Sequence, residues 1–185
     1  MKFLPGDEIK YTVSYLKMDS APNFCVKKRT IANRLLLKAK NPPTNYFLNL
    51  YLRIGAAYEW TDRLLCPVDE TESFLSNDRV ELYTYLTDGW IAGFFVLDRR
   101  ESDICDLAYF GLVPEAIGLG HGKYLLKVAL KMCWDGLETK KVTVNTNSLD
   151  HPNALPLYLK MGFKLVRTEI KKRILTQSRI VIDKE

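Results

Sequence analysis

The chain has 185 residues, of which 47% are hydrophobic and 26% charged. That is one ordinary domain by length, or at most two small ones, and it is long enough to bury a core without a metal or disulfide staple. Net charge is +5; ten glycines and eight prolines exclude a collagenous or low-complexity chain, and no run of 18 apolar residues encodes a membrane span.

The chain opens Met-Lys-Phe-Leu-Pro-Gly-Asp, with a proline and an acid where a secretory signal needs an apolar core. A cytoplasmic protein is expected. From Glu8 to Leu16, Ile9, Tyr11, Val13 and Tyr15 alternate with polar residues, which predicts a half-buried strand. Asn23 to Lys40 reads as a helix with Phe24, Ile31 and Leu35 on one side, ended by Asn41-Pro42-Pro43. A second helix follows, capped by Thr44, with Phe47, Tyr51, Ile54 and Tyr58 on one face. Val80 to Leu86 and Trp90 to Leu97 flank the turn signal Asp88-Gly89 and predict a hairpin. A third strand runs from about Ile104 to Val113, where Pro114 stops it. The loop Gly118-Leu-Gly-His-Gly122 opens a helix carrying Leu125, Leu126, Ala129, Leu130, Met132 and Cys133. Lys141 to Thr146 is a further strand. Asp150 can cap a short helix that Gly162 closes, and Phe163 to Glu169 and Ile174 to Ile182 are two last strands. Hairpins at both ends with strand–helix–strand units between predict an α/β sheet of mixed direction.

Residues 1–60 hold 10 Lys/Arg against 4 Asp/Glu, and the remainder 17 against 18. Lys27, Lys28, Arg29, Arg34, Lys38 and Lys40 come without an acid between them. The run suits a solvated helix face or a phosphate-bearing partner; it lacks the interleaved aromatics of a base-stacking surface. The cysteines at 25, 66, 105 and 133 contain no CxxC pair, so reduced, mostly buried thiols are expected. His121 and His151 fit no HExxH spacing, and a metal site is not supported.

The glycine loop is the strongest chemical signal. A helix start carries unpaired N–H groups and the positive end of the dipole, and glycines let a phosphate approach the backbone. The dinucleotide pattern GxGxxG fails at Lys123, and the nucleotide pattern GxxxxGK[ST] fails at Ile117 and Tyr124. A plain tight turn is the alternative.

The loop does not stand alone. Leu112-Val-Pro-Glu, followed by Gly120-His-Gly-Lys-Tyr-Leu-Leu, resembles the acetyl-CoA motif of the GNAT superfamily of N-acetyltransferases. Ala154-Leu-Pro-Leu-Tyr158-Leu-Lys-Met-Gly162-Phe163 is similar to that superfamily's later A-x-x-x-Y-x-x-x-G-F segment, and the wording of both segments is similar to a bacterial-type branch. The resemblance is specific over residues 104–165 and looser elsewhere. It implies one GNAT-like domain over residues 1–185. Its mixed, mostly antiparallel central sheet would be flanked by helices, with a splayed strand pair for acetyl-CoA. Residues 80–185 would hold acetyl-CoA and residues 1–79 much of the acceptor side.

The resemblance also assigns roles. Acetyl-CoA, as co-substrate, would lie against the backbone of Phe110, Gly111 and Leu112. Its phosphates would meet the loop from Ile117 through Gly118, Leu119, Gly120, His121 and Gly122 to Lys123. His151 stands where the family's Asn would hold the pantetheine arm. Asn145 and Asn147 alternate with Val142 and Val144 and share one side of their strand, where they could line the cleft, Asn147 as a cofactor contact, or face water. Tyr158 matches the tyrosine that protonates the departing thiolate. Asp106 matches the strand position where some members carry a glutamate base; a strand carboxylate paired with a neighbouring cation is the alternative. Glu59, Trp60 and Asp62 fall in the acceptor wall, where ordinary helix-end polarity would also place such residues. Two departures stand out: Ile117 replaces the usual Arg or Gln, and His151 the usual Asn. The activity implied is acetyl transfer to the amine of a small molecule or peptide, in a monomer or homodimer. An idle acyl-CoA-binding module and a nucleic-acid-associated domain are the competing classes.

Overall fold

The computed structural model describes residues 2–23, 33–136 and 138–180. The strands are β1 (Lys2–Phe3), β2 (Glu8–Met18), β3 (Arg34–Ala39), β4 (Val80–Thr87), β5 (Trp90–Asp98), β6 (Ile104–Leu112), β7 (Lys141–Asn147), β8 (Lys164–Ile174) and β9 (Arg179–Ile180). The α-helices are α1 (Thr44–Gly55), α2 (Asp62–Leu65), α3 (Val68–Leu75), α4 (His121–Trp134) and α5 (Ala154–Lys160). Seven strands form one sheet in the order β3-β4-β5-β6-β7-β2-β8, antiparallel except between β6 and β7; β1 and β9 pair separately. This is the mixed α/β architecture expected from the motifs. Among the described residues no helix is long and apolar enough to cross a membrane.

Cross-strand partners share a face, so the register sorts the core. Phe94 and Tyr109 meet Phe47 of α1, and Tyr109 also meets Phe74 of α3. Cys105, on the other face, meets Cys133 of α4. Phe47, Phe94, Phe95, Val96, Leu97, Leu125 and Leu130 are fully buried between these layers.

One irregularity opens the sheet. Opposite β5, Leu97 pairs with Leu107 and Val96 with Tyr109, leaving Ala108 as an extra residue. A bulge of this kind bends its strand and increases its twist. The β6–β7 ladder covers Ile104 to Asp106 against Lys141 to Thr143 and no further. From Leu107 onward the two strands part.

Three expectations are corrected. Residues 34–39 are strand, not helix; residues 24–32 of the expected helix lie outside the described residues. The spacing of Ile31 and Leu35 looked helical, but Leu36 and Ala39 pack on the core from a strand paired with β4, and pairing overrides local preference. Lys38, from the basic run, is tied across that ladder to Glu81 at 2.5 Å. At the next helix, Pro43 holds the cap position and no side chain caps α1, so Thr44 is its first residue rather than its cap. Finally, β8 runs unbroken to Ile174, and Arg179–Ile180 pairs with β1 instead of closing a hairpin. Between the two expected strands Lys172 bonds Glu8 and Arg173 bonds Asp62, so the strand carries through.

Candidate functional site

The parting of β6 and β7 leaves a cleft of about 430 Å³. That lies within the usual size of small-molecule sites. Phe110, Gly111 and Leu112 line one wall. With no ladder partner on the β7 side, their backbone offers hydrogen bonds to whatever lies in the cleft.

The glycine loop closes one end. Ile117, Gly118, Gly120 and Gly122 line the cleft. Gly118 and Gly120 have φ of +83° and +80°, and a Cβ on either would point into open space. The turn therefore needs glycine for its backbone and leaves room for a ligand beside it. Gly120 caps α4, no side chain satisfies the first-turn N–H groups, and no acid stands among them. Unpaired donors at the positive end of a 14-residue helix fit a pyrophosphate.

Tyr158 lines the cleft from α5, between Phe110 and Phe163. Burial holds its phenol far above the usual tyrosine range, with like charge from Asp150 and Asp106 adding to this. It is a neutral phenol that can donate. Asn147 and His151 also line the cleft. His151 Nδ1 accepts from the Asn153 N–H at 3.1 Å, which puts the proton of a neutral ring on Nε2. The residue standing where the family pattern has Asn is thus a donor.

The opposite wall is aromatic. Tyr51, Trp60 and Tyr109 pack tilted or edge-on with centroids 5.5 to 6.2 Å apart. Trp60 fills the notch left by Gly55, where a Cβ would come within 2.3 Å of it. Asp62 lines the cleft beside them and bonds Arg173 at 2.8 Å.

Asp150 carries more of this site than its sequence position suggested. It was expected to cap α5, but Asn153 holds that position. The Asp150 carboxylate instead accepts from Trp60 Nε1 at 2.9 Å, Thr146 Oγ1 at 2.7 Å and the Asn147 N–H at 2.8 Å. It joins the aromatic wall to the end of β7. The one local sign of this is an acid three residues beyond Asn147, just past a strand end.

Five candidate residues lie outside the cleft. Leu119 and Lys123 are exposed. His121 turns behind the loop, its Nδ1 2.9 Å from the Tyr85 hydroxyl. Glu59 is buried and clamps the chain beyond β8, accepting from Thr176 N, Thr176 Oγ1 and Gln177 N. Asp106 lies at the last paired position before the bulge, where it accepts from Thr143 Oγ1 at 2.5 Å. It lines a second cavity, which meets the cleft at Asn145.

Burial, helped by the charges of Asp98 and Glu101, raises Asp106 to about 6 despite the Thr143 bond. A carboxylate raised above its unfolded value of 3.8 binds more protons in the folded state between those two values. Stability is therefore lost as pH rises from about 4 to 6, by ~3 kcal/mol at most. Asp106→Asn is expected to be more stable than the parent at pH 8 and no more stable at pH 3.5. Urea melts at the two pH values check this; equal midpoints at pH 8 would refute it.

Among the described residues no group of three or more His, Cys, Asp or Glu could hold a metal ion, and Cys66, Cys105 and Cys133 are unbridged.

A family model described as an acetyltransferase (GNAT) domain matches residues 58–178, well over half of the chain. No curated protein matches the sequence significantly. Among solved structures, the chain is similar to a GNAT family acetyltransferase from Elizabethkingia anophelis with acetyl-CoA bound. The identity is 20%, over 73% of this chain and 78% of that one, with a TM-score of 0.54. An aminoglycoside acetyltransferase from an uncultured soil metagenomic sample, in complex with trehalose, is 16% identical over 70% of this chain and 87% of that one, at a TM-score of 0.54. A functionally unknown conserved protein from Staphylococcus epidermidis is 12% identical at a TM-score of 0.56. That alignment covers 88% of this chain, which spans only 61% of the other protein's length. At these identities the likeness is one of fold.

Proposed function

Because the chain belongs to the GNAT acetyltransferase family, we propose that it moves an acetyl group from acetyl-CoA to an amine by direct attack. The observation that carries this reading is the cleft itself. It combines a strand edge without a ladder partner, a glycine-built helix start and a buried phenol. The thioester of acetyl-CoA supplies the activated acetyl group.

The N–H groups at the start of α4 would bind the pyrophosphate. The edge of β6 at Phe110–Leu112 would hold the pantetheine arm and polarise the thioester carbonyl. His151 Nε2–H and Asn147 stand where that arm would pass. Tyr158 would give its proton to the departing sulfur, so the thiol leaves neutral.

An attacking amine must be neutral. A lysine-like amine has a pKa of ≈ 10.4, so at pH 7 about one molecule in 2,500 is neutral, a cost of roughly 4.6 kcal/mol. Asp106 at about 6 is mostly ionised at pH 7 yet not too weak a base. From the cavity that adjoins the cleft at Asn145 it would take the proton through water.

Acetyl-CoA is expected to raise the melting temperature. At about 100 times its dissociation constant it adds roughly 2.7 kcal/mol. Gly120→Val should lose that response, because a β-branched residue at φ +80° is strained and its side chain stands where the phosphates would lie. A thermal-shift titration of both proteins is decisive. No response of the parent to millimolar acetyl-CoA would end this reading; an equal response of Gly120→Val would remove the loop from it.

A further inference from the structure

The second cavity, of about 730 Å³, opens on the α1 face of the sheet and adjoins the cleft at Asn145. Its floor is three rungs of strand. Nearest the cleft, Asn145 of β7 pairs with Tyr15 of β2. One rung further, Asp106, Thr143 and Lys17 stand side by side, with Asp98 opposite Asp106 on β5. On the last rung Lys141 pairs with Ile104.

The charges on these rungs are not equally engaged. Arg100 is neutralised by Asp98 at 2.7 Å, and Lys17 by Asp19 at 3.1 Å. The middle rung keeps the Asp106 carboxylate, with Glu101 adding like charge to it. The last rung keeps Lys141, which has no ion-pair partner among the described residues. The floor is therefore polarised along β7, with an acid close to the cleft and a cation away from it.

We propose that this cavity binds the tail of the acceptor, and that the acceptor is a short peptide-like amine ending in a free carboxylate. The proposal rests on the acetyl-transfer reading. The reacting nitrogen would sit at Asn145, within a water's reach of Asp106, and the carboxylate would meet Lys141. From Asn145 to Lys141 the strand rises roughly 13 Å at ~3.3 Å per residue. Allowing for side-chain reach, the acid lies about 10 Å from the reacting nitrogen, the span of an extended tripeptide. A single amino acid is too short to bridge the two ends.

The test uses trialanine and its C-terminal amide with acetyl-CoA, read by thiol release. The free acid should be the better acceptor by about tenfold in kcat/KM, the scale of one charge-assisted contact, with the difference in KM. Lys141→Met should bring that ratio to about one with acetyl-CoA affinity by calorimetry unchanged. Lys141→Glu should invert it. Equal kcat/KM for acid and amide in the parent overturns the proposal, as does a ratio that survives both substitutions. Turnover of neither peptide by a protein that binds acetyl-CoA also overturns it. Failure of the parent to bind acetyl-CoA overturns the transfer reading as well, and the calorimetry tells the two failures apart.

Discussion

Tyr158→Phe is expected to fold, to bind acetyl-CoA nearly as the parent does, and to turn over about 100-fold more slowly. The ring packs between Phe110 and Phe163, and removing one oxygen leaves that packing in place. The hydroxyl makes no hydrogen bond with another described residue, so the folded state loses none. A proton delivered in the transition state affects kcat, not ground-state binding. General-acid help is worth about 100- to 10,000-fold, and the lower end applies because water can partly substitute. Steady-state kinetics with a working amine, beside calorimetry with acetyl-CoA, separates the outcomes. Turnover within twofold of the parent would make Tyr158 a packing residue, and the domain would then resemble an idle acyl-CoA binder. A large loss of affinity would instead mean that the hydroxyl positions the co-substrate.

Deleting residues 1–20 is expected to abolish folding. β2 lies between β7 and β8, pairing with β8 over Glu8–Lys17 and with β7 over Val13–Met18. Without it, β8 has no partner in the sheet and β7 becomes an edge. Val13, Leu16 and Met18 leave the core with it, each worth roughly 1.5–3 kcal/mol of burial. A domain holds only about 5–15 kcal/mol in total. The segment matched by the family model, residues 58–178, contains neither β2 nor β3. A fragment cut to that segment should be as unfolded as the deletion. Circular dichroism and a urea melt check both; a cooperative transition in either would show that β2 is dispensable.

Most of the glycine-loop end of the cleft was legible in the sequence because its signals are local. A glycine at φ +80° before an apolar helix, and a tyrosine four residues after Ala154, can be read without knowing the fold. The aromatic wall was legible only in outline. Trp60 and Asp62 line the cleft, but Glu59, next to Trp60 in the chain, turns away to clamp Thr176. That choice depends on where a segment more than 100 residues later returns. Asp150 shows the same limit: a helix cap and a tether for Trp60 look identical until β7 and the aromatic wall are brought together. The mistaken helix at 34–39 arose because an edge strand buries only alternate residues, and its leucines also fit one side of a helix. Asp106 was visible as a strand carboxylate. Its place beyond the cleft depends on the Ala108 bulge, which no residue type announces.

The position of β2 also sets an order in time. Residues 8–18 leave the ribosome long before their partners at 141–147 and 164–174 are made. At about 5–20 residues per second, the strand waits many seconds with its apolar residues unpaired. β4, β5 and β6 are joined by short connections and can form their ladders meanwhile. The sheet can be completed only once β8 has been made, when an early segment is drawn between two later ones. Such long-range closure is slow, and for that interval Val13, Leu16 and Met18 are an aggregation hazard that a nascent-chain chaperone would be well placed to cover.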